Sequence, residues 1–283
     1  MVYLIFSIVF STSILLLFKW YGKLKANILL ALAVNYFTAA LLSIGFINEL
    51  PSFSYWMGTA AFLGYLFMVV FWLMAYSTQL SGVAVTTLAA KLSMVFPILI
   101  GVVMYKEWPL SAQWIGIALS FSAIFFTTER KGVKSKARWM PLLVFLGAGF
   151  TDTLIGFHSR IVPPEHQYLL YALVFGFAGL TGLFFLFRSK TKIQKPQLKL
   201  GLWTGLLLGL VNFGSLFFIF RSIKHGFPQS IFFPSNNIGI IVFAALGGLL
   251  LFKEYPKKAT WIGLALGVAG LLWLLLPSYF AKN

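Results

Sequence analysis

Residues 101–119 read GVVMYKEWPLSAQWIGIAL, and residues 248–266 read GLLLFKEYPKKATWIGLAL. They align without a gap, Glu107 over Glu254, at an offset of 147 residues (254 − 107). Identities include Gly101/Gly248, Lys106/Lys253, Pro109/Pro256 and the run Trp114-Ile115-Gly116 over Trp261-Ile262-Gly263. Shared leucines would follow from composition alone. A K-E-aromatic-P turn followed by W-I-G does not, so the chain contains an internal duplication. In each copy an apolar run leads into a short polar turn and a second apolar run leads out. That is the pattern of a membrane hairpin, and the protein reads as two halves built alike.

Composition fixes the class. Of 283 residues, 60% are apolar and only 10% are charged, against about 25% charged in ordinary globular chains. A soluble core cannot absorb that excess. In lipid a backbone must satisfy its own hydrogen bonds, and the alternation of barrel strands is absent, which leaves spanning helices. There is no cysteine, so disulfides and thiolate metal sites are excluded. The net charge of +16 sits in short links between apolar runs, where it faces anionic lipid rather than nucleic acid.

Ten runs are long enough to span: 2–18, 27–46, 56–77, 83–104, 112–127, 140–158, 168–187, 201–220, 229–252 and 260–277. The first has no basic segment before it and no small-residue cleavage site after it. It reads as a retained helix, not a signal peptide. The duplication extends outward, because FSTSIL at 10–15 lies over FTDTLI at 150–155 at an offset of 140 residues (150 − 10). Spans 1 to 5 then fall on spans 6 to 10. Five is odd, so the second copy must enter from the opposite side. The expected fold is an all-α integral membrane protein of ten transmembrane helices in a 5+5 inverted repeat, with the first repeat at 1–129 and the second at 138–279.

Alternate links hold sixteen Lys and Arg on one side and five on the other, with Lys91 inside a span. Positive-inside bias puts the richer links in the cytoplasm and both termini outside the cytoplasmic membrane. The glycine series Gly201, Gly205, Gly209 and Gly263, Gly267 reads first as a packing device within the chain; a dimer face is the other reading, and the oligomeric state stays open.

An ionisable group at mid-bilayer costs about 2.5–3.5 kcal/mol on insertion scales, so it must face protein or water. Two qualify. Lys91, in VTTLAAKLSMVFP, is the ninth residue of span 4, and Asp152, in GAGFTDTLIGF, is the thirteenth of span 6. Lys91 reads as a fixed cation for an anionic group of a substrate, as a proton-coupled switch, or as half of a structural ion pair with Asp152. Asp152 reads as that pair or as a proton-coupling group. Span 9 carries QSIFFPSNNIGIIVF, in which Pro234 is expected to break the ladder and free carbonyls beside Ser235, Asn236 and Asn237. With one gap, Asn237 falls opposite Lys91 across the pseudo-two-fold axis. Asn35, Trp72, Tyr76 and Asn212 complete the expected substrate-lining set. Tyr65 and Gln79 rank below them, His158 and Arg160 could guard an entrance, and Glu107 and Glu254 read as turn residues.

No catalytic or nucleotide motif is present: no H-E-x-x-H, no G-x-S-x-G, no Walker lysine loop, and the three His residues lack metal-ligand spacing. The expectation is a non-enzyme without cofactor or metal, driven by a gradient or by exchange.

Ten spans, a 5+5 duplication, and in each half a span ending in KE-aromatic-P and re-entering with W-I-G resemble the drug/metabolite transporter superfamily, in its EamA-like branch. The resemblance covers the whole chain. It implies a secondary transporter, an exporter or exchanger, of a small polar or amphipathic metabolite such as an amino acid, by alternating access. Distant cousins that carry sugar phosphates use basic residues at the middle of span 9, where this chain has Ser235, Asn236 and Asn237, and Lys91 offers the cation instead. The expected partners are a small-molecule substrate, the lipid bilayer and coupling protons, with no nucleic acid. The alternatives are a flippase for lipid-linked substrates and a non-transporting membrane sensor or assembly protein.

Overall fold

A computed structural model describes residues 2–47, 49, 54–105, 111–128, 135–189, 193–224, 229–255 and 257–280. It is helical throughout, with no strand among the described residues. In chain order the helices are α1 (Val2–Leu24), α2 (Ile28–Ile44), α3 (Tyr55–Ser81), α4 (Val83–Leu92), α5 (Val95–Tyr105), α6 (Ser111–Thr128), α7 (Ser135–Ile161), α8 (Gln167–Arg188), α9 (Lys195–Lys224), α10 (Gln229–Phe252) and α11 (Lys258–Phe280). Among the described residues, five stretches are long and apolar enough to cross a bilayer: α1, α3, α8, Trp139–His158 of α7 and Lys195–Ile219 of α9. Shorter apolar stretches lie in α2, α4 with the start of α5, α6, α10 and α11. Large apolar side chains such as Phe125, Phe184, Trp203 and Leu250 are exposed, as a lipid-facing surface requires.

Local chemistry sets the joints. Asn27 caps α2 by accepting the Leu30 N–H at 3.1 Å. Gly82 separates α3 from α4 at φ +93°, a backbone region closed to most side chains. α4 stops at Leu92 because two effects coincide. Pro97 cannot donate to the carbonyl of Ser93, which instead accepts Phe96 N–H at 2.9 Å in a tighter turn. The Ser93 hydroxyl then takes the Ala90 carbonyl at 2.6 Å, the acceptor that Met94 N–H would have used. The apolar run 83–104, expected as span 4, is thus two helices, α4 and α5.

Span 9 differs from the sequence expectation. α10 runs helical from Gln229 to Phe252, through Pro234. A lone proline removes a single ladder bond, and the helix carries on past it; the interruption falls in span 4, where a serine hydroxyl competes as well.

α6 packs along α11, and α2 lies against both α8 and α9. α3 packs on α7 and α8, α1 on α9 and α10, and α4 on α7 and α10. One core cluster centres on Phe18, Tyr21, Tyr36 and Phe175, with Tyr36 donating to Phe67 O at 2.7 Å and Tyr21 to Thr204 O at 2.5 Å. A second, around Leu88, Leu92, Phe145 and Ile241, gathers α4, α7 and α10 about the broken span. The glycines of α9 pack inward: Gly201, Gly205 and Gly209 lie against Leu30, Ala31 and Asn35 of α2, so close that a Cβ on Gly205 would stand 2.6 Å from the Ala31 carbonyl.

Candidate functional site

The break in span 4 positions the site. Lys91 is the penultimate residue of α4, partly exposed. Ser93, fully buried, donates to Asp152 Oδ2 of α7 at 2.9 Å as well as to Ala90 O. One hydroxyl proton thus faces two acceptors, and a proton on Asp152 would satisfy both. The Lys91 and Asp152 charges act on each other, yet among the described residues the one ion pair within 4.0 Å joins Lys19 and Glu254. Lys91 and Asp152 are therefore neighbours held apart, not a closed pair.

Polar contacts continue from the break into the second half. Asn237 Nδ2 faces Met94 Sδ at 3.9 Å, so the middle of α10 meets the gap between α4 and α5. Asn236, buried, accepts from Ser7 Oγ of α1 at 2.9 Å. One turn along α1, the Ser11 and Ser215 hydroxyls lie 2.6 Å apart, which brings in α9. Thr12, over which Asp152 aligns, is buried and its Oγ1 has no hydrogen-bond partner. The structure thus brings Lys91, Asp152, Asn236 and Asn237 to one level, on α4, α7 and α10, joined to α1 and α9.

The other expected residues fall elsewhere. Asn212 donates to Asn35 at 3.2 Å, a buried bridge between α9 and α2 whose Asn35 Nδ2 lacks a partner. Trp72 and Tyr76, rings 5.2 Å apart, sit on an exposed stripe of α3 with Phe62, Tyr65 and Leu80. The side chains of Ser235 and Arg160, and Glu107 as a whole, lie outside the described residues. His158 is buried and bonds Thr59 Oγ1 at 2.8 Å and Leu154 O at 2.8 Å. Sequence reasoning passed over Ser7, Ser11 and Ser93 because a serine in an apolar helix can bond its own backbone at no cost. The spacing of Ser7 and Ser11, one turn apart, is the signal that could have found two of them.

No family model matches the chain. An uncharacterised protein of Haemophilus influenzae is 25% identical over 291 residues, covering 96% of each chain. A protein of solved crystal structure superposes with a TM-score of 0.55 at 15% identity, over 98% of this chain and 99% of that one, a likeness of fold.

Proposed function

We propose that the protein is a secondary transporter of a small polar or amphipathic metabolite, of the drug/metabolite transporter type, working by alternating access in the cytoplasmic membrane. Its frame is ten spans in a 5+5 inverted repeat, with the lysine-rich links in the cytoplasm. Helix packing supports this frame. Replacing each span by its counterpart five later turns the pairs α6–α11, α2–α8 and α4–α10 into themselves. It also exchanges α2–α9 with α8–α3, α1–α9 with α7–α3, and α1–α10 with α7–α4, all of which are pairs that pack.

The reading rests on one observation: Lys91 and Asp152, both half-buried, stand at an interrupted helix within an apolar bundle without closing on each other. A pair kept only for stability gains nothing from separation, since two buried charges repay their desolvation only in direct contact. Separation leaves each one a face for a ligand. In this scheme Lys91 takes the substrate's anionic group, Asn237 and Asn236 its polar remainder, and Asp152 the coupling proton, with Thr12 Oγ1 as a spare hydroxyl. Energy comes from a gradient or from exchange. Counterflow into proteoliposomes against a panel of amino acids and related metabolites tests it. Wild type is expected to carry some member, with Lys91→Ala and Asp152→Asn each slowed at least about tenfold, the loss of one charge-assisted contact. Transport at the wild-type rate by both variants refutes the assignment, and a centre that carries nothing returns the sensor reading.

A further inference from the structure

The second copy of the duplicated turn reaches across to the other half of the chain. α10 ends at Phe252, and Lys253 adopts φ +54°. This turns Glu254 back so that its N–H bonds Gly248 O at 3.0 Å. The Glu254 side chain then covers the start of α4, where Oε2 accepts the Val83 N–H at 2.9 Å. That N–H belongs to the first turn of a helix, where no carbonyl precedes it and negative charge is favoured. Oε1 lies 2.5 Å from Lys19 Nζ at the end of α1. The contact is one of charge: the ammonium directs its hydrogen bonds to Thr78 O at 3.1 Å and Gln79 O at 3.5 Å, carbonyls at the end of α3 of which Thr78 O also accepts the Gly82 N–H. Both side chains are under one-fifth exposed, at 19% and 18%.

Gly82 is fitted to this arrangement. A Cβ there would stand 2.8 Å from Glu254 Oε2, so both backbone angle and space demand glycine. Lys23 adds a second tie, 4.8 Å above the Phe252 ring. Three strands of the knot (α1, α3 and α4) come from the first half, and the turn comes from the second. Beside it opens a pocket of about 250 Å³ touching Lys19, Gly82, Val85, Glu254 and Lys257. From Val85 to Lys91 is six residues of α4, about 9 Å at 1.5 Å per residue.

We propose that the Lys19–Glu254 pair is a latch that closes the path from the lysine-rich face to the central site and is released as that face opens. The inference rests on the central site proposed above. Both groups that the Glu254 carboxylate holds, Val83 N–H and the Lys19 ammonium, belong to the other half, so parting the halves at this face must break it. The adjoining pocket can supply water to Lys19 when it lets go, which keeps closed and open states near balance. A staple with no exit for its charges would only lock the bundle.

The chain has no cysteine, so a single reporter is clean. Thr87→Cys is nearly size-conserving, buried, and one turn before Lys91 on the same face of α4. A membrane-impermeant maleimide is added from the lysine-rich face of inside-out vesicles. In the Glu254→Gln background, which keeps an acceptor for Val83 N–H but drops the charge, labelling is expected to quicken about tenfold, as for loss of one charge-assisted contact. Lys19→Met is the second variant and is expected to do the same. Parental labelling rates in both, with both proteins monodisperse on size exclusion, overturn the latch. Labelling needs no substrate, so faster labelling without any transport refutes the transporter reading alone, and transport with unchanged labelling refutes the latch alone.

Discussion

Lys91 and Asp152 were legible from the sequence because charge is so rare in these spans that each one demands a reason. Their separation was not legible, since it depends on where Ser93 sends its hydroxyl. The two cases differ in stability. Removing one partner of a closed buried pair strands the other and costs about 3–5 kcal/mol. With Asp152 already held by Ser93 at 2.9 Å, Lys91→Met is expected to leave thermal unfolding in detergent within about 1 kcal/mol of wild type, the scale of an interaction across a gap, while abolishing transport. A fall of several kcal/mol would restore the ion pair. The serines of α1 escaped notice for a related reason. Thr87, Thr151, Thr153 and Thr204 all bond the carbonyl four residues back in their own helix, so a hydroxyl in a span carries no message until its neighbours are seen.

At the level of elements, the apolar runs predicted where helices lie, and the structure places helices over all ten. Faces were harder. A helix apolar on every side offers no stripe by which to orient it, which is why Trp72 and Tyr76 were grouped with the substrate residues and emerge on the exposed side of α3. Breaks were harder too, because a proline states only that one bond is missing. Pro234 leaves α10 whole, whereas Pro97 acts with Ser93 to part α4 from α5. Pro97→Ala returns a donor to the Ser93 carbonyl, and regaining that one backbone hydrogen bond is worth about 1 kcal/mol. The variant is expected to unfold at a higher temperature and to run counterflow more slowly, because mending the rod pulls Lys91 and Asn237 out of register. Equal or faster counterflow would show that the gap plays no part.

For the whole molecule, the duplicated stretch carries the proposed architecture, and the turn in its second copy is more than a connector: Glu254 reaches Lys19 and Val83. Nothing in the K-E motif says what it will touch, because its partners lie 171 residues or more away in the chain. Orientation remains a matter of charge, and the expected placement of both termini outside is checked by epitope tags at each end. Antibody is expected to reach both in intact spheroplasts, and staining only after permeabilisation would reverse the assignment.

The packing of α6 on α11 joins the lead-out helices of the two copies, with Gly270 resting on Gly116 and Ser120. Such a contact is a handshake between twins, in which each copy offers the surface its sibling offers back. In the inverted frame proposed above, that surface is also the one by which a separately made first half is expected to find a second.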